Sequence, residues 1–281
     1  MATIDAASVK KLRELTDAGI MDCKRALGEA EGDFERAAAI LREKKKSIGV
    51  KVGGRATGEG SIGTFVSEDG KKGALVELNC ETDFVAKNER FVALCSDLAQ
   101  RAVALGAMDA DTLLNSNGGE ADQIVKETMG TVGENIRVAR VAFIETEGFV
   151  AHYSHHDNKQ SALVELKGVE KSAEAEELGR DLSTQVVAMK PQFVSREEIP
   201  TDALEKERAI YEQQAAAEGK PEAIQTKIAE GRLNKEFFQA VALLDQPFVK
   251  EQKQTVGQYL KASGKGAEVV RFVRFRVGES A

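Results

Sequence analysis

The sequence predicts an α+β protein with a small N-terminal helical bundle, a duplicated β-β-α-β core and an inserted helical hairpin. Three observations predict this class. Apolar residues recur at helical spacing through the first fifty positions, the pentapeptide Ala-Leu-Val-Glu-Leu occurs at 74–78 and again at 162–166, and a segment rich in Ala, Glu, Gln and Lys interrupts the second half. The composition of the 281 residues, 42% hydrophobic and 30% charged, is typical of a folded globular chain.

Residues 1–48 are predicted to form three short helices that pack as a bundle. Their apolar faces are Val9 and Leu12 in the first, Cys23, Ala26 and Leu27 in the second, and Phe34, Ala37, Ala38 and Leu41 in the third. A turn is predicted at 16–19, and Asp33 is placed to cap the third helix. The lysines at 44–46 are interpreted as a solvated helix end rather than a nucleic-acid site, and the glycine-rich stretch 49–60 as a linker.

The two copies of the pentapeptide have similar surroundings, which predicts a duplicated core. Gly63-Thr64-Phe65-Val66 precedes the first copy, and Gly148-Phe149-Val150-Ala151 precedes the second. A helical segment follows each copy, and an arginine-containing strand closes each half, at 136–144 and at 269–277. The predicted subdomains are therefore 61–145 and, for the second copy, 146–190 together with 245–281.

The segment between the two parts of the second subdomain, 191–244, is predicted to be an antiparallel helical hairpin. Helical spacing runs through 203–218 and 222–244, with a turn at 219–221. Only Leu204, Tyr211, Ile224 and Ile228 form its apolar stripe. A hairpin with so little core of its own is expected to pack on another surface, and both the body of the protein and a second chain fit this expectation.

The two copies differ most at the turn that follows the pentapeptide. In the first copy the turn is 79–88, where Thr82 or Asp83 fits a helix N-cap and Phe84 follows. Phe84 is compatible with two interpretations, a hydrophobic staple of the helix start or an exposed anchor for a partner with a carboxylate beside it. The equivalent turn of the second copy, 167–171, has no aromatic residue.

Composition and motif searches exclude several classes of function. A net charge of −7 argues against broad nucleic-acid binding, and no apolar run approaches the ~18 residues of a membrane helix. The first residues lack a secretory signal, so a cytoplasmic location is expected. The formal GxGxxG at 58–63 leads into a predicted strand rather than a helix, which is the wrong context for a dinucleotide site.

Enzymatic chemistry is not recognisable in the sequence. The three histidines, His152, His155 and His156, lie in a predicted loop and are interpreted as solvated, with a metal site as the less favoured hypothesis. The three cysteines have no CxxC spacing and no base nearby in sequence. No catalytic residue, metal ligand or cofactor is therefore predicted, and the residues favour an interaction protein.

Several separate motifs, spread over nearly the whole chain, resemble one protein family. They lie at 12–16, 19–27, 79–88, 132–135, 190–191, 246–249 and 271–278, with Thr-Asp-Phe-Val at 82–85. In this order they are similar to the elongation factor Ts family, the guanine-nucleotide exchange factors for elongation factor Tu in bacterial translation. Asp17 stands where the family usually has Gly, and Ile20 replaces a common Met.

The resemblance implies how the chain would meet elongation factor Tu. It implies an N-terminal domain of the ubiquitin-associated (UBA-like) type whose Arg13, Ile20 and Met21 contact the partner's G domain. The second core half would meet another domain of the partner, and the hairpin would be a dimerisation element in some members. The alternative is a UBA-type adaptor or interaction protein without exchange activity.

The same resemblance implies a site that acts on the partner's nucleotide. Thr82, Asp83, Phe84 and Val85 would dislocate Mg²⁺ in elongation factor Tu. Val132 and Gly133 would press near the partner's phosphate-binding loop. GDP, GTP and Mg²⁺ would all be bound by the partner, so the chain itself would need no cofactor.

Overall fold

The computed structural model describes residues 4–16 and 18–279, with the backbone but not the side chain of Lys46. The predicted α+β class is confirmed, because helices combine with two three-stranded sheets and a two-stranded one. The chain divides into two compact units. The first unit contains residues up to 63, 76–141 and those from 277 onward, and the second contains 64–75 and 142–276.

Three helices form the N-terminal bundle, as predicted: α1 (Ala6–Thr16), α2 (Ile20–Glu29) and α3 (Phe34–Val52). Most residues expected from helical spacing form the core, with Val9, Leu12, Cys23, Ala26, Leu27, Ala37 and Leu41 buried, whereas Phe34 and Ala38 pack against this core and are only partly buried. Asp33 caps α3 by accepting a hydrogen bond from the Arg36 amide at 3.0 Å. Asp17, in the predicted turn, lies outside the described residues.

The prediction that α3 ends at the three lysines, with a linker from residue 49, is wrong. The helix continues to Val52 because it packs along a later helix, α7 (Glu120–Val132), where Gly49 and Gly130 allow close approach. A Cβ on Gly130 would overlap the backbone carbonyl of Lys45. Lys45 itself donates to the Thr16 carbonyl at the end of α1 at 2.6 Å. Tertiary packing here outweighs the low helix propensity of glycine.

The first half of the core contains more helix than predicted. Its elements in chain order are β1 (Glu59–Val66), β2 (Lys72–Cys80), α4 (Asp83–Ala86), α5 (Glu89–Leu105), α6 (Ala110–Asn115), α7 and β3 (Arg137–Glu145). The strands lie in the order β1-β2-β3. The predicted β-β-α-β pattern is therefore present, but α6 and α7 were missed because the second copy offers no counterpart to them.

The second half repeats the two strands and the helix and then departs from the first. Its elements are β4 (Phe149–Ser154), β5 (Gln160–Lys167), α8 (Ala173–Met189), α9 (Thr201–Ala217), α10 (Glu222–Arg232), α11 (Phe238–Val241), β6 (Pro247–Phe248), β7 (Glu251–Thr255), α12 (Val256–Ser263) and β8 (Glu268–Arg276). The sheet is antiparallel in the order β4-β5-β8. A π-helical turn at 233–237 joins α10 to α11.

The structure corrects the alignment of the two copies by three residues. A Cβ on Gly60 would overlap the carbonyl of Leu78, and a Cβ on Gly148 would overlap the carbonyl of Leu166. Because Leu78 and Leu166 end the two pentapeptides, Gly148 corresponds to Gly60 rather than to Gly63. The motif match at Gly63 was misleading because both strands contain a glycine where the backbone comes close to a neighbour.

The corrected alignment pairs Gly63 with Ala151, and each contacts the helix of its own half. A Cβ on Gly63 would overlap the carbonyl of Cys95 in α5, whereas in the second half the glycine is on the helix, where Gly179 of α8 faces Ala151. One residue of each strand–helix pair must therefore be very small. The two halves meet the same steric requirement from opposite sides.

The glutamate of each pentapeptide forms an ion pair with the closing strand of its own half. Glu77 pairs with Arg140, with the Nε–Oε2 distance at 2.7 Å, and Glu165 pairs with Arg271 at 2.6 Å. Both glutamates are buried. The arginine-containing strands recognised in the sequence thus supply a specific partner for the repeated carboxylate, which sequence spacing did not reveal.

The helical hairpin of α9 and α10 has more core than its sequence suggested. Its turn lies at Gly219, as predicted, with a φ of 75°. The hairpin core consists of Ile199, Tyr211, Ala229, Leu233, Phe238 and Val241. Ile210 and Ile224 remain exposed on its surface.

Over the residues that the structure describes, no single helix is both long and apolar enough to cross a membrane. Helix α5 passes that test only in combination with the segment 110–118, and the two are bent by 91°.

Candidate protein-interaction site

The turn after β2 holds a short helix that the second copy lacks. Thr82 is the N-cap of α4, as the sequence predicted, and its hydroxyl accepts a hydrogen bond from the Val85 amide at 3.4 Å. Asn88 caps the following helix α5 by accepting from the Arg90 amide at 3.0 Å. Two caps within seven residues fix the path of the chain through the turn.

Phe84 projects from this turn with 83% of its surface exposed. The staple interpretation is therefore wrong, because a staple requires the ring to be packed against the helix start. Next to it, the Asp83 carboxylate accepts from Lys87 at 2.7 Å, while Val85 is half-buried and Ala86 is buried. The turn thus combines a buried base with an exposed aromatic tip.

Glu134 connects the turn to the end of helix α7. One carboxylate oxygen accepts from the amides of Glu81 at 3.2 Å and Thr82 at 3.0 Å, and the other accepts from the Thr82 hydroxyl at 2.7 Å. Hydrogen bonds to a charged acceptor are stronger than neutral ones, so this contact restrains the turn effectively. Glu134 belongs to the motif at 132–135, but nothing in the sequence assigns it a role.

In a second connection between the same two segments, the turn supplies the carboxylate and the segment after α7 supplies the amide. The Glu81 carboxylate accepts from the Asn135 amide at 2.7 Å and forms an ion pair with Arg55 at 3.4 Å. The side-chain amide of the buried Asn135 donates in turn to the carbonyl of Arg55 at 2.6 Å. The turn and the segment after α7 therefore hold each other through reciprocal carboxylate–amide contacts.

Val132 and Gly133, both predicted to contact the partner, lie at the C-terminal end of α7. Gly133 caps the helix with a φ of 75° and donates to the Met129 carbonyl at 2.8 Å. A left-handed residue at this position is strongly favoured to be glycine. Both residues are partly exposed and directly precede Glu134, so the structure brings them together with the Phe84 turn.

The three predicted contact residues of the bundle also lie on an exposed surface. Arg13, Ile20 and Met21 line an open concavity of about 510 Å³, which Thr131 of helix α7 also lines. Ile20 is 55% exposed and Met21 is 67% exposed. Because Thr131 adjoins Val132, this concavity extends to the end of α7, and all of these residues belong to the first unit.

Groups that could perform covalent or metal chemistry are not assembled in the described part of the chain. The three cysteines are buried, and burial raises the pKa of the Cys95 thiol far above its usual value. His152 lies in β4 rather than in the predicted loop, and only His155 and His156 follow the strand. Among residues 4–16 and 18–279, no three His, Cys, Asp or Glu side chains form a cluster suited to a metal ion.

The motif at 246–249 has a structural role in the second unit. The buried Gln246 donates to the carbonyls of Met189 at 3.2 Å and Ala240 at 3.1 Å, and it accepts from Gln185 at 3.1 Å. Gln185 also accepts from the Val249 amide at 2.9 Å. These amides fix the chain between α11 and β7, which sequence analysis did not foresee.

An apolar tip on a restrained turn and an adjoining exposed surface are features typical of proteins that act by binding another protein. Comparison with known proteins gives a narrower class. The family model described as Elongation factor TS matches residues 81–279. The chain belongs to the elongation factor Ts family, whose members are elongation factors of protein biosynthesis.

Relatives from several bacteria cover almost all of the chain. Elongation factor Ts of Aquifex aeolicus is 42% identical over 98% of this chain and 98% of its own length. The proteins of the same name from Bordetella petrii and Azoarcus sp. are 46% and 44% identical, each over 99% of this chain and 93% and 92% of their own lengths. The family resemblance seen in the sequence motifs is thereby confirmed.

Proposed function

We propose that the chain binds GDP-loaded elongation factor Tu, promotes release of GDP and so allows GTP to bind. The observation that carries this proposal is the exposure of Phe84 on a turn held by its neighbours. Burial of so exposed an aromatic side chain in a partner would remove most of its apolar surface from water, and aromatic residues are the most frequent anchors of protein interfaces. Phe84 also lies in the Thr-Asp-Phe-Val motif, one of the motifs through which the sequence resembles the family.

The proposed mechanism acts on electrostatics in the partner. A divalent ion and one phosphate charge at ~3.5 Å attract each other by roughly 9 kcal/mol at an effective dielectric of ~20. Weakening GDP binding by ~10³- to 10⁴-fold needs only about 4–5.5 kcal/mol of coupling. Burial of Phe84 in the partner supplies about 2–3 kcal/mol of this, and the remaining contacts supply the rest.

Each predicted contact has a separate task in this mechanism. Thr82, Asp83, Phe84 and Val85 approach the Mg²⁺ site of the partner, with Phe84 as the wedge and Thr82 as the cap that orients it. Val132 and Gly133 press near the partner's phosphate-binding loop. The exposed surface of the N-terminal bundle binds the G domain.

Arg13, Ile20 and Met21 form that bundle surface, and their contacts contribute to the coupling in so far as they are made better with the distorted, nucleotide-free partner than with the GDP-bound one. By thermodynamic linkage, GDP or GTP must weaken the factor's hold on elongation factor Tu as much as the factor weakens the nucleotide. The chain performs no covalent chemistry and needs no cofactor, since the partner holds the nucleotide and Mg²⁺.

The direct test is release of labelled GDP from elongation factor Tu with and without the chain. We expect acceleration by the wild type, and Phe84→Ala should reduce the rate at limiting factor by about 30-fold or more, from the ~2–3 kcal/mol of lost burial. Met108→Ala is the matched control, because Met108 is also in the first unit and 66% exposed but lies outside the proposed contact. Equal rates for the two variants would reject the wedge role of Phe84.

The adaptor alternative is not favoured by the family membership, and it makes a distinct prediction. A UBA-type adaptor would bind ubiquitin-like surfaces through the N-terminal bundle and leave GDP release from elongation factor Tu unchanged. Calorimetry with nucleotide-free elongation factor Tu separates the two proposals. Binding supports an exchange factor, and the absence of binding supports an adaptor.

A homodimer through the hairpin remains a prediction. It is supported by the exposure of Ile210 in α9 and Ile224 in α10. Deletion of 203–235 should change the sedimentation coefficient by more than the loss of mass explains if the hairpin joins two chains. A deletion variant that stays in the same oligomeric state would reject this contact.

A further inference from the structure

We infer that Glu134 is a positioning residue for nucleotide exchange, an inference that rests on the proposed function. Its carboxylate accepts all three of its hydrogen bonds from residues 81 and 82, directly before the exposed Phe84. Glu134 therefore acts through the turn and needs no contact with the partner.

The geometry of the turn explains why such a restraint is needed. Helix α4 has only four residues, Asp83–Ala86, so its own hydrogen bonds are too few to hold it without outside support. The Glu134 carboxylate binds two backbone amides that precede this helix, together with the hydroxyl of its N-cap. The position of Phe84 is thus set from outside the turn.

The same contact joins two predicted partner-binding segments into one surface. Val132 and Gly133 immediately precede Glu134. Thr82 is one of the two residues that Glu134 binds, and Phe84 lies two positions after it. Asn135 adds the reverse contact by donating its amide to the Glu81 carboxylate at 2.7 Å. Both segments must approach neighbouring groups of one nucleotide site, and a fixed spacing between them places both correctly at the same time once the complex has formed.

Two variants and a control test this role. Glu134→Ala removes the acceptor, whereas Glu134→Gln keeps one side-chain oxygen that can accept from the two backbone amides. Glu120→Gln is the control, since Glu120 is the first residue of the same helix α7 but does not contact the turn. Its carboxylate forms an ion pair with Arg101, with an N–O distance of 3.0 Å. Thermal unfolding of each variant checks that the fold is retained.

The first measurement is amide hydrogen exchange in the free chain. We expect Glu134→Ala to lower the protection of the Glu81 and Thr82 amides by about 10-fold or more, with both amides close to wild type in Glu134→Gln and Glu120→Gln. Unchanged protection in Glu134→Ala would overturn the inference.

The second measurement is GDP release from elongation factor Tu over a range of factor concentrations. Glu134→Ala should lower the maximal rate by about 10-fold or more, because the wedge is misplaced, while the half-saturating concentration changes by less than about 3-fold. Glu134→Gln should recover most of the maximal rate. Should Glu134→Ala not fold, Glu134→Asp, which keeps the charge but shortens its reach, should lower the maximal rate by about 3-fold or more.

The outcomes separate this inference from the proposed function. A normal maximal rate for Glu134→Ala, beside a defective Phe84→Ala, overturns the positioning role alone. An effect confined to the half-saturating concentration also overturns it, since that result indicates a direct binding contact. If the wild-type chain does not accelerate GDP release, the proposed function fails and the positioning role fails with it.

Discussion

The two copies of the repeated core share a scaffold but differ at the turn that follows the repeated pentapeptide. In both copies the pentapeptide glutamate is buried against an arginine, and a glycine allows close contact between strand and helix. After the first copy the chain forms α4 and exposes Phe84. After the second it passes through Gly168 and reaches the helix cap at Ser172.

This difference shows where an interaction surface can be added without disturbing a fold. The shared features lie inside each half and contribute to its stability, whereas the side chain of Phe84 is exposed and takes no part in the core. The ion pair, the turn, the strand–helix contact and the helix cap of one copy are therefore expected to respond differently to substitution from those of the other.

The largest expected difference concerns the two buried ion pairs. Arg140 is 18% exposed beside Glu77, whereas Arg271 is 50% exposed beside Glu165. Glu77→Ala should lower the free energy of unfolding by about 3–5 kcal/mol, and Glu165→Ala by only about 1 kcal/mol, because water compensates the more exposed arginine. Urea denaturation measures both values. Equal losses would show that the two pairs are energetically equivalent despite their different exposure.

The turn residues should separate exchange from stability. Phe84→Ala should cost about 2–3 kcal/mol of coupling to the partner's nucleotide but change the free energy of unfolding by less than about 0.5 kcal/mol. Val169, in the second turn, packs partly against the core of its unit, so Val169→Ala should cost about 1 kcal/mol of stability and leave exchange unchanged. A stability loss in Phe84→Ala similar to that in Val169→Ala would contradict the contrast.

The strand–helix contacts should differ in whether they can be rescued. Gly179→Ala should destabilise by about 1–3 kcal/mol, and a second change, Ala151→Gly, should restore more than half of the loss because the overlap is with the Ala151 side chain. Gly63→Ala should be at least as damaging, and Cys95→Ala should not rescue it, because that overlap is with the Cys95 backbone. Urea denaturation of the two double variants measures the free energy of unfolding that each second change restores. Rescue of Gly63→Ala by Cys95→Ala, or no rescue of Gly179→Ala by Ala151→Gly, would contradict this explanation.

The smallest difference is expected between the two helix caps. Thr82→Ala and Ser172→Ala each remove a side-chain oxygen that accepts from a backbone amide, at 3.4 Å and 3.2 Å, and the loss of either cap should cost about 1 kcal/mol of stability. Thr82→Ala also removes the hydroxyl that donates to Glu134 at 2.7 Å, so it should cost about 1 kcal/mol more. Only Thr82→Ala should also slow GDP release, because only that cap orients Phe84. A slower release in Ser172→Ala would show that general destabilisation is sufficient to impair exchange.

Much of the architecture could be predicted because it depends on local patterns. The helical spacing of Val9, Leu12 and Cys23 gave the bundle core, and the repeated pentapeptide gave β2 and β5. Residue type and position restricted the N-cap of α4 to Thr82 or Asp83, and the structure shows that Thr82 is the cap. Such features depend on neighbours within a few residues in sequence.

Other features could not be predicted because they depend on distant partners. The extension of α3 to Val52 requires contact with Gly130, which lies far away in the sequence. The three-residue error in aligning the two copies had a different origin, because Gly60 and Gly148 both lie 14 residues before their pentapeptide and this spacing was available in the sequence. The contact with the carbonyl of Leu78 confirms Gly60. In the candidate site, Phe84 had two open interpretations until its exposure was known.

The amino-acid order by itself determined the fold class, the duplication, the hairpin and the family to which the chain belongs. These properties are recorded in periodicity and in motifs, and neither needs long-range information. Tertiary structure alone decided that Phe84 faces solvent and that Glu134 holds the turn beneath it. The physical reason is that exposure and hydrogen bonding between residues about fifty positions apart arise only when the chain has folded.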